Sequence, residues 1–309
     1  MSSKIYALGC LYTIIGGVCY ALGGTCGQYL FMHNNMESHY LVPVRTLLSG
    51  ILMLVFDSLI LHHKVFAVLN RSRSFFSILF FGVFATAGSQ MGFYCAIQYS
   101  NAPVATVLAY MSAVFVLFLE IILHHHRPLL FEVISVLLVI FGTFIICTHG
   151  DLSGFVISSE AFLWSMAGAF AYAVYTVQPV RLLQKYSLLS VVGWGLVIAG
   201  IFLTVTLQPW QYTRIIYNRD FYLFLSGVIL VGTICSFSFF LAGVKIVGGV
   251  TASVLSAVDP VVSVLVSVLA LNVKLVWQDF LGMIIVILAI FIMSVAKRLR
   301  HNSPGRSPW

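Results

Sequence analysis

The sequence predicts an all-α integral membrane protein in which ten transmembrane helices form two inverted five-helix repeats. Of its 309 residues, 61% are hydrophobic and only 8% are charged, whereas a soluble domain carries about 25% charged residues. Its apolar segments are each about 20 residues long, the length of helix needed to cross the hydrocarbon core of a bilayer. Because backbone polar groups in lipid must be paired within the protein, these segments are expected to be helices.

The ten apolar segments follow one another with little chain between them, so we expect no soluble domain. The first segment starts close to the N-terminus, but it is too long for the hydrophobic region of a signal peptide, and we expect a retained helix. No phosphate-cradling loop of the Gly-x-x-x-x-Gly-Lys type is present, which excludes ATP hydrolysis within this chain as the energy source. The predicted spans are 5–32, 40–61, 75–99, 102–124, 129–148, 159–182, 188–208, 220–244, 248–271 and 276–297.

The second half of the chain repeats the pattern of the first. One constant shift places Gly16 and Tyr20 on Gly168 and Tyr172, and a slightly smaller shift aligns the third and fourth segments with the eighth and ninth. Five spans per half is an odd number, so the second half must enter the membrane in the opposite orientation. Inverted repeats with a site between them are typical of secondary transporters. The expected units are 1–150 for the first repeat, 151–298 for the second and 299–309 for a disordered cytoplasmic tail.

The positive charges predict which side of the membrane the chain ends occupy. Twelve of the sixteen Lys and Arg residues fall on the side of the N-terminus, three fall on the opposite side, and Arg45 lies within a span. Cytoplasmic loops carry an excess of Lys and Arg, so both termini are expected in the cytoplasm. The net charge of +7 therefore reflects membrane topology, and no nucleic-acid partner is expected.

Asp259 is the sharpest candidate site, because it lies about halfway along the ninth segment. An ionised Asp at that depth costs about 2.5–3.5 kcal/mol on insertion scales, so such residues are functional candidates. Pro260 removes a backbone donor, frees the carbonyl near Ser256 and favours a kink. Ser256, Asp259, Ser263 and Ser267 form a polar stripe on one helix face, which should face a cavity. The alternative is that Asp259 is protonated or paired and only joins helices.

Arg45 and Glu120 are candidates for gating. Arg45 lies in the outer half of the second segment, just after Pro43, and needs a carboxylate or several carbonyls as partners. Asp259 is one candidate partner, and a purely structural pin is the alternative role. Glu120, near the inner end of the fourth segment, is a candidate gate or proton-binding group.

Several polar aromatic and amide side chains recur at helical spacing within the apolar segments. Gln90, Tyr94 and Gln98 are four residues apart in the third segment, and Tyr20 is the repeat counterpart of Tyr172. A solute pocket combines apolar walls with a few hydrogen-bonding groups, although each side chain alone is also compatible with an ordinary interhelical hydrogen bond. The predicted substrate-binding residues are Tyr20, Gln90, Tyr94, Tyr110, Tyr172, Ser256 and Asp259, with Arg45, Glu120 and Pro260 in gating or kinking roles.

Glycines crowd the first segment, where Gly23 and Gly27 form a Gly-x-x-x-Gly spacing. This spacing is typical of close helix packing, and local unwinding that exposes backbone groups to a solute is the alternative. Asp57, Glu132 and Asp279 lie near segment ends, where we expect them to be solvated.

No catalytic residue, cofactor or metal is expected. The residues from His124 to His126 form a short histidine run, but consecutive helical residues point in different directions, so a solvated loop is favoured over a metal site. The six cysteines contain no Cys-x-x-Cys pair, and they are interpreted as small buried apolar residues.

Three motifs resemble a known family. They are Pro43-Val44-Arg45, the stretch from Ala96 to Leu108 (AIQYSNAPVATVL) and Ser256-Ala257-Val258-Asp259-Pro260-Val261. In this order, and with the five-plus-five plan, they resemble the EamA-type members of the drug/metabolite transporter superfamily over nearly the whole chain.

The chain departs from that family pattern at four places. Val114 stands where the family often has a proline in the fourth helix. Asn272-Val273 and the 124–127 run replace the Gly-Glu pairs that often precede the last helix of each half. Asp259 is not a usual family residue, so the resemblance implies no role for it.

The resemblance implies export or exchange of small metabolites, including amino acids, across the bacterial cytoplasmic membrane. It also implies a cavity between the first, third, fourth, sixth, eighth and ninth helices. Our hypothesis is an alternating-access carrier of an amino-acid-like solute, embedded in the bilayer as a monomer or homodimer, with proton coupling as one option. The alternatives are a lipid or lipid-carrier flippase of the same fold, a membrane-embedded enzyme, and a sensor or scaffold.

Overall fold

The computed structural model describes residues 3–124, 128–149, 156–212, 214–247, 252, 255 and 258–301, and the regular structure in them is helical. Two short 3₁₀ turns, Val65–Val68 and Pro209–Gln211, lie between longer helices. The helices are α1 (Ser3–His33), α2 (Ser38–Leu59), α3 (Ser72–Tyr99), α4 (Ala102–Ala109), α5 (Ser112–His124), α6 (Leu130–Thr148), α7 (Ser159–Val177), α8 (Val180–Leu183), α9 (Leu188–Leu207), α10 (Arg219–Val247), α11 (Val258–Leu271) and α12 (Trp277–His301).

Seven helices in the described part of the chain are long and apolar enough to cross a membrane, which confirms the predicted class of an all-helical membrane protein. The apolar helices Val258–Leu271 and Trp277–Met293 are shorter. α12 continues to His301, so the first residues of the expected disordered tail are helical, and residues 302–309 lie outside the described chain. The seven are Ile5–His33, Ser38–Leu59, Ser72–Tyr99, Ala102–Leu119, Leu130–Thr148, Leu188–Leu207 and Arg219–Val247.

Several helices begin where a polar side chain can satisfy their free backbone N–H groups. The Asn101 side chain accepts the N–H of Val104 at 2.9 Å at the start of α4. At the start of α10, Asn218 accepts the N–H of Phe221 at 2.8 Å. These caps place the helix starts within a few residues of the boundaries that hydropathy predicts.

Two of the long helices contain a wider π-helical segment. It spans Phe81–Thr86 in α3 and Gly227–Cys235 in α10. The shift that aligns these two helices in the sequence places the start of the first segment, Phe81, on the start of the second, Gly227. Such segments are rare and are frequently found at functional sites.

Helices pack mainly in pairs drawn from the two halves of the chain. α1 packs against α10, α3 against α7, α2 against α9, and α6 against α12. α11 packs on α1 and α4. The cavity described below lies among α1, α3, α4, α7, α10 and α11, while the α2–α9 and α6–α12 pairs flank it.

Glycines allow close approach at the α2–α9 crossing. A Cβ atom on Gly50 would lie 2.7 Å from the backbone nitrogen of Val197, and one on Gly200 would lie 2.6 Å from that of Leu47. Small residues that let backbones approach are the usual source of helix packing in membranes. One constant shift along the sequence relates Gly50 to Gly200 and Leu47 to Val197, so the contact is reciprocal.

The α6–α12 crossing has the same form. A Cβ atom on Gly142 would lie 2.8 Å from the carbonyl oxygen of Gly282, and one on Gly282 would lie 2.7 Å from that of Gly142. Gly142 also faces Val286, and Gly282 faces Ile146. Here too a single shift relates Gly142 to Gly282 and Ile146 to Val286, and it exchanges both contacts.

The glycines of α1 serve packing in this structure. α1 is unbroken from Ser3 to His33, and Gly23 meets the backbone of Gly232 on α10. Gly27 lies against the ring of Tyr94. The close-packing interpretation of these glycines therefore holds, and the alternative of local unwinding does not.

The expectation that Asp57 is solvated is wrong. Asp57 is fully buried at the end of α2. Its carboxylate accepts hydrogen bonds from the hydroxyls of Ser187 and Ser190, and His63 Nδ1 lies 2.8 Å from Asp57 Oδ1. Three partners offset the cost of burying this carboxylate, and hydropathy alone could not reveal them.

Glu132 and Asp279 are buried as well, also against expectation. Glu132 accepts the backbone N–H of Leu129 at 2.8 Å, and Asp279 accepts that of Val276 at 3.0 Å. Asp279 also lies 2.9 Å from His149 Nε2, which joins the ends of α6 and α12. Both acids bind free N–H groups of a helix start, where a negative charge is favourable.

Candidate functional site

A central cavity of about 210 Å³ lies where the predicted cavity helices meet. Its walls come from α1, α3, α4, α7, α10 and α11, together with Tyr110 and Ser112 at the break between α4 and α5. These are the helices that the family resemblance implies. Its lining residues are Gly16, Gly17, Tyr20, Ser89, Gln90, Phe93, Ala96, Ala105, Thr106, Ala109, Tyr110, Ser112, Ser165, Gly168, Ala169, Tyr172, Tyr175, Ser236, Phe237, Phe240 and Asp259.

Five of the seven predicted binding residues line this cavity. They are Tyr20, Gln90, Tyr110, Tyr172 and Asp259. Their positions could be predicted because a polar side chain deep in an apolar segment needs either a partner or a wet cavity.

The side chains of two other candidates are not described. Ser256 is one of the undescribed residues before α11. Glu120 belongs to α5, but its side chain is not among those described. Pro260 is buried in the first turn of α11, so the kink predicted at Pro260 involves residues on its N-terminal side that are not described.

Asp259 brings an unsatisfied carboxylate oxygen into the cavity wall. The residue is 8% exposed, and its Oδ1 has no hydrogen-bond partner among the described residues. Ser263, one helical turn further along α11, is 1% exposed, and its hydroxyl is also without a partner there. A buried polar group without a partner is costly, so this side of the cavity favours a ligand that supplies donors or positive charge.

Aromatic residues line the same cavity as the carboxylate. Tyr20 stacks obliquely on Phe93 with ring centroids 5.7 Å apart, and Tyr172 stacks on Tyr175 at 5.6 Å. Tyr20, Tyr110 and Tyr172 are all close enough to Asp259 for electrostatic interaction. The faces of aromatic rings attract cations, so the rings and the carboxylate favour the same kind of ligand.

Tyr94 and Arg45 form a separate buried contact beside the cavity. The Arg45 guanidinium carbon lies 4.4 Å from the centroid of the Tyr94 ring, and Arg45 donates to the hydroxyl of Thr233 at 3.2 Å. No ion pair joins Arg45 to Asp259, although both residues are described. The candidate partnership of Arg45 and Asp259 is therefore absent from this structure, and Tyr94 does not line the cavity.

Small hydroxyl side chains complete the lining, and most of them were not predicted as site residues. Ser89, Ser165 and Ser236 each contribute to the walls, and Ser236 donates to the carbonyl of Gly16 at 2.9 Å. Serine is well tolerated in membrane helices, so its presence carries little signal. The shift that aligns α3 with α10 places Gln90 on Ser236, and this repeat relation could have identified it.

No group of three His, Cys, Asp or Glu side chains suited to a metal ion occurs in the described residues. The functional groups that the described lining offers to a bound molecule include one buried carboxylate, tyrosine hydroxyls, an amide and aromatic faces.

Comparisons with known proteins agree with this architecture. The EamA-like transporter family model matches the chain twice, over residues 7–148 and 159–295. A Salmonella typhimurium protein named as uncharacterized inner membrane transporter YicL is 32% identical over 295 residues, covering 96% of this chain and 98% of its own. A solved crystal structure with 16% identity superposes with a TM-score of 0.62 over 98% of this chain and 100% of its own, a likeness of fold alone. The resemblance to the drug/metabolite transporter superfamily is confirmed, and the chain belongs to the EamA-like transporter family.

Proposed function

We propose that this protein is a secondary transporter that moves a small amino-acid-like solute across the bacterial cytoplasmic membrane by alternating access. The observation that carries the proposal is the buried carboxylate of Asp259, whose Oδ1 has no partner among the described residues, in an aromatic cavity between the two halves of the chain. The membrane is inferred from the relative that is named an inner membrane transporter. Cytoplasmic termini follow from the distribution of Lys and Arg.

Reciprocal helix contacts support an internal two-fold relation between 1–150 and 151–298. In a two-fold interface residue i contacts j while the counterpart of i contacts the counterpart of j. The α2–α9 and α6–α12 glycine contacts have this form, and the π-helical segments of α3 and α10 begin at equivalent positions. This relation supports the proposal of ten spans in two inverted repeats, and such repeats rock around a central site in secondary transporters.

The cavity chemistry favours a solute with a cationic group. A buried carboxylate oxygen without a partner among the described residues gains most from a positively charged donor, and Tyr20, Tyr110 and Tyr172 line the same cavity. The amide of Gln90 adds a neutral hydrogen-bonding group for the polar remainder of the solute. Export or exchange of an amino-acid-like metabolite accounts for this combination, and a proton is the simplest occupant of Asp259 when the solute is absent.

Counterflow in proteoliposomes loaded with a mixed metabolite pool tests the proposal. We expect saturable exchange of one class of amino-bearing solute by the wild-type protein. Asp259→Asn should lower it about tenfold or more, since a charge-assisted contact is lost. Asp279→Asn is the matched control, because this buried carboxylate binds His149 outside the cavity, and it should leave exchange unchanged.

Two results would contradict the proposal in different ways. Full exchange by Asp259→Asn would remove this residue from the binding site and leave a carrier with another site. Absence of exchange for every solute, together with faster lipid scrambling in the same vesicles, would replace the metabolite carrier with a lipid flippase of this fold.

A further inference from the structure

Gln28 holds three cavity helices together through one buried oxygen. The residue lies on α1 and is 4% exposed. Its Oε1 accepts the backbone N–H of Ala102, at the start of α4, at 2.9 Å and the hydroxyl of Ser267 on α11 at 3.5 Å. α1, α4 and α11 all contribute to the wall of the cavity.

These contacts lie at one end of the cavity, which is closed there. Ala105, one turn after Ala102 on α4, lines the cavity and is 1% exposed, and Ala102 is fully buried. Tyr172, another residue of the lining, is by contrast 48% exposed. The Gln28 contact is therefore part of what separates the cavity from the surface at this end.

The bond to α4 is suited to repeated breaking. The first N–H groups of a helix have no partner within the helix, and the amide oxygen of Gln28 supplies one from outside to Ala102. When the helices separate, water can replace each partner, so the exchange costs little. A hydrogen bond to a backbone N–H at a helix start can therefore hold the cavity closed and still break at little cost.

The same helix connects this contact to the solute site. Asp259, Ser263 and Ser267 lie four residues apart on α11, and all three are buried. α11 is continuous from Val258 to Leu271, so a displacement at Asp259 moves Ser267 relative to Gln28. One continuous helix thus carries both the carboxylate in the cavity wall and the hydroxyl that contacts Gln28.

We propose that Gln28 is a gate residue that closes the cavity at the junction of α1, α4 and α11, and that release of its Oε1 from Ala102 and Ser267 opens this end. The inference rests on the proposed transport function, for which the gate would control access. No contact of Gln28 with the solute is required, so it acts by positioning the helices.

Sided cysteine labelling tests the gate without any knowledge of the solute. A variant lacking all six native cysteines carries Ala105→Cys as the reporter in sealed vesicles, and a membrane-impermeant maleimide is added on the side of the Gln28 contact. Gln28→Leu keeps the side-chain size but removes the acceptor, and we expect labelling about tenfold faster, from the loss of two hydrogen bonds. Gln28→Glu keeps an acceptor oxygen at a helix start, where negative charge is favoured, and should label at nearly the wild-type rate.

Gln178→Leu is the matched control. The Gln178 amide donates to the carbonyl and hydroxyl of Ser77, at 3.0 and 2.8 Å, and joins α3 to the end of α7. This glutamine is similarly placed at a helix end but does not touch α4 or α11, so the labelling rate of the reporter should not change.

Hydrogen exchange in the native-cysteine protein provides a second measurement, should the cysteine-free chain fail to fold. Gln28→Leu should accelerate exchange in peptides that contain Ala102, relative to peptides from α6 and α12. Faster exchange throughout the chain would indicate a merely structural role and overturn the inference.

The labelling and transport experiments fail independently. Unchanged labelling in Gln28→Leu, with solute exchange intact in the wild type, would reject the gate and leave the carrier. Faster labelling in Gln28→Leu without exchange of any solute by the wild type would keep the gate and reject the metabolite carrier.

Discussion

Substituting alanine at the α2–α9 crossing should destabilise the protein by an amount that the structure sets. A Cβ atom on Gly200 would lie 2.6 Å from the backbone nitrogen of Leu47 and 2.7 Å from its Cα. Favourable contacts between carbon atoms lie at about 3.5–4.0 Å. The two helices would therefore have to separate by about 1 Å, because the opposing atoms belong to the backbone and cannot rotate away.

Overpacking of this kind lowers the free energy of unfolding by about 1–3 kcal/mol. The higher helix propensity of alanine raises it by up to about 1 kcal/mol. Gly24→Ala is the matched control, because a Cβ atom there would find its nearest neighbours, on Ile97 and Phe93, at 3.7 Å. Gly24→Ala should thus be neutral or stabilising. The difference in unfolding free energy between Gly200→Ala and Gly24→Ala should be about 1–3 kcal/mol.

Reversible unfolding in mixed micelles, followed by tryptophan fluorescence, measures these free energies. Gly50→Ala should cost nearly as much as Gly200→Ala, because its Cβ atom would lie 2.7 Å from the backbone nitrogen of Val197 in the reciprocal contact. Equal stability of Gly200→Ala and Gly24→Ala would refute the steric reasoning. A large cost at Gly200 with none at Gly50 would contradict the proposed two-fold relation.

Two further predictions use the same unfolding measurement. Tyr94→Leu should lower stability by about 2 kcal/mol, because the ring lies 4.4 Å from the buried Arg45 guanidinium. Tyr94→Phe keeps the ring and loses only the hydroxyl's 3.4 Å hydrogen bond to the Gly23 carbonyl, so it should cost about 0.5–1 kcal/mol. Equal costs would show that the hydroxyl matters more than the ring. Asp57→Ala should lower the free energy of unfolding by about 2–4 kcal/mol, because the hydroxyls of Ser187 and Ser190 lose their acceptor. A decrease below about 0.5 kcal/mol would show that water replaces the carboxylate.

The helices could be predicted because the signal for them is local. An apolar run of about 20 residues in lipid has to form a helix whatever its neighbours are, and the observed ends lie within a few residues of the predicted ones in most helices. The sequence contains no comparable signal for the turn between Ala109 and Ser112. This turn divides the fourth predicted span into α4 and α5. The π-helical segments were also missed, because no residue type requires them.

The site was predictable to the extent that burial of polar groups is expensive. Asp259 and Tyr172 could be identified because their positions within apolar segments need an explanation. Gln28 was not predicted, because a glutamine near the end of a span is common. Its hydrogen bond to Ala102 can be seen only in the structure. Arg45 was predicted to need a partner. In the structure its guanidinium contacts the face of an aromatic ring and a hydroxyl, and not a carboxylate.

The cavity is built from positions that the proposed repeat relates. Tyr20 and Tyr172 both line it, and they occupy equivalent places in equivalent segments. Gln90 and Ser236 both line it as well, and the shift that aligns α3 with α10 relates them. Equivalent walls on the two sides are what a carrier needs if the halves are to exchange conformations around one site.

Asp259 breaks this equivalence, because the same shift places Ala113 in the corresponding position of the first half. The only acidic or basic side chain of the described lining is thus on one side of an otherwise balanced cavity. A solute with one cationic end is itself asymmetric, and it would bind such a cavity in one orientation. In the proposed carrier, the scaffold would remain symmetric for conformational exchange, while a single difference between the repeats would set the orientation in which the solute binds.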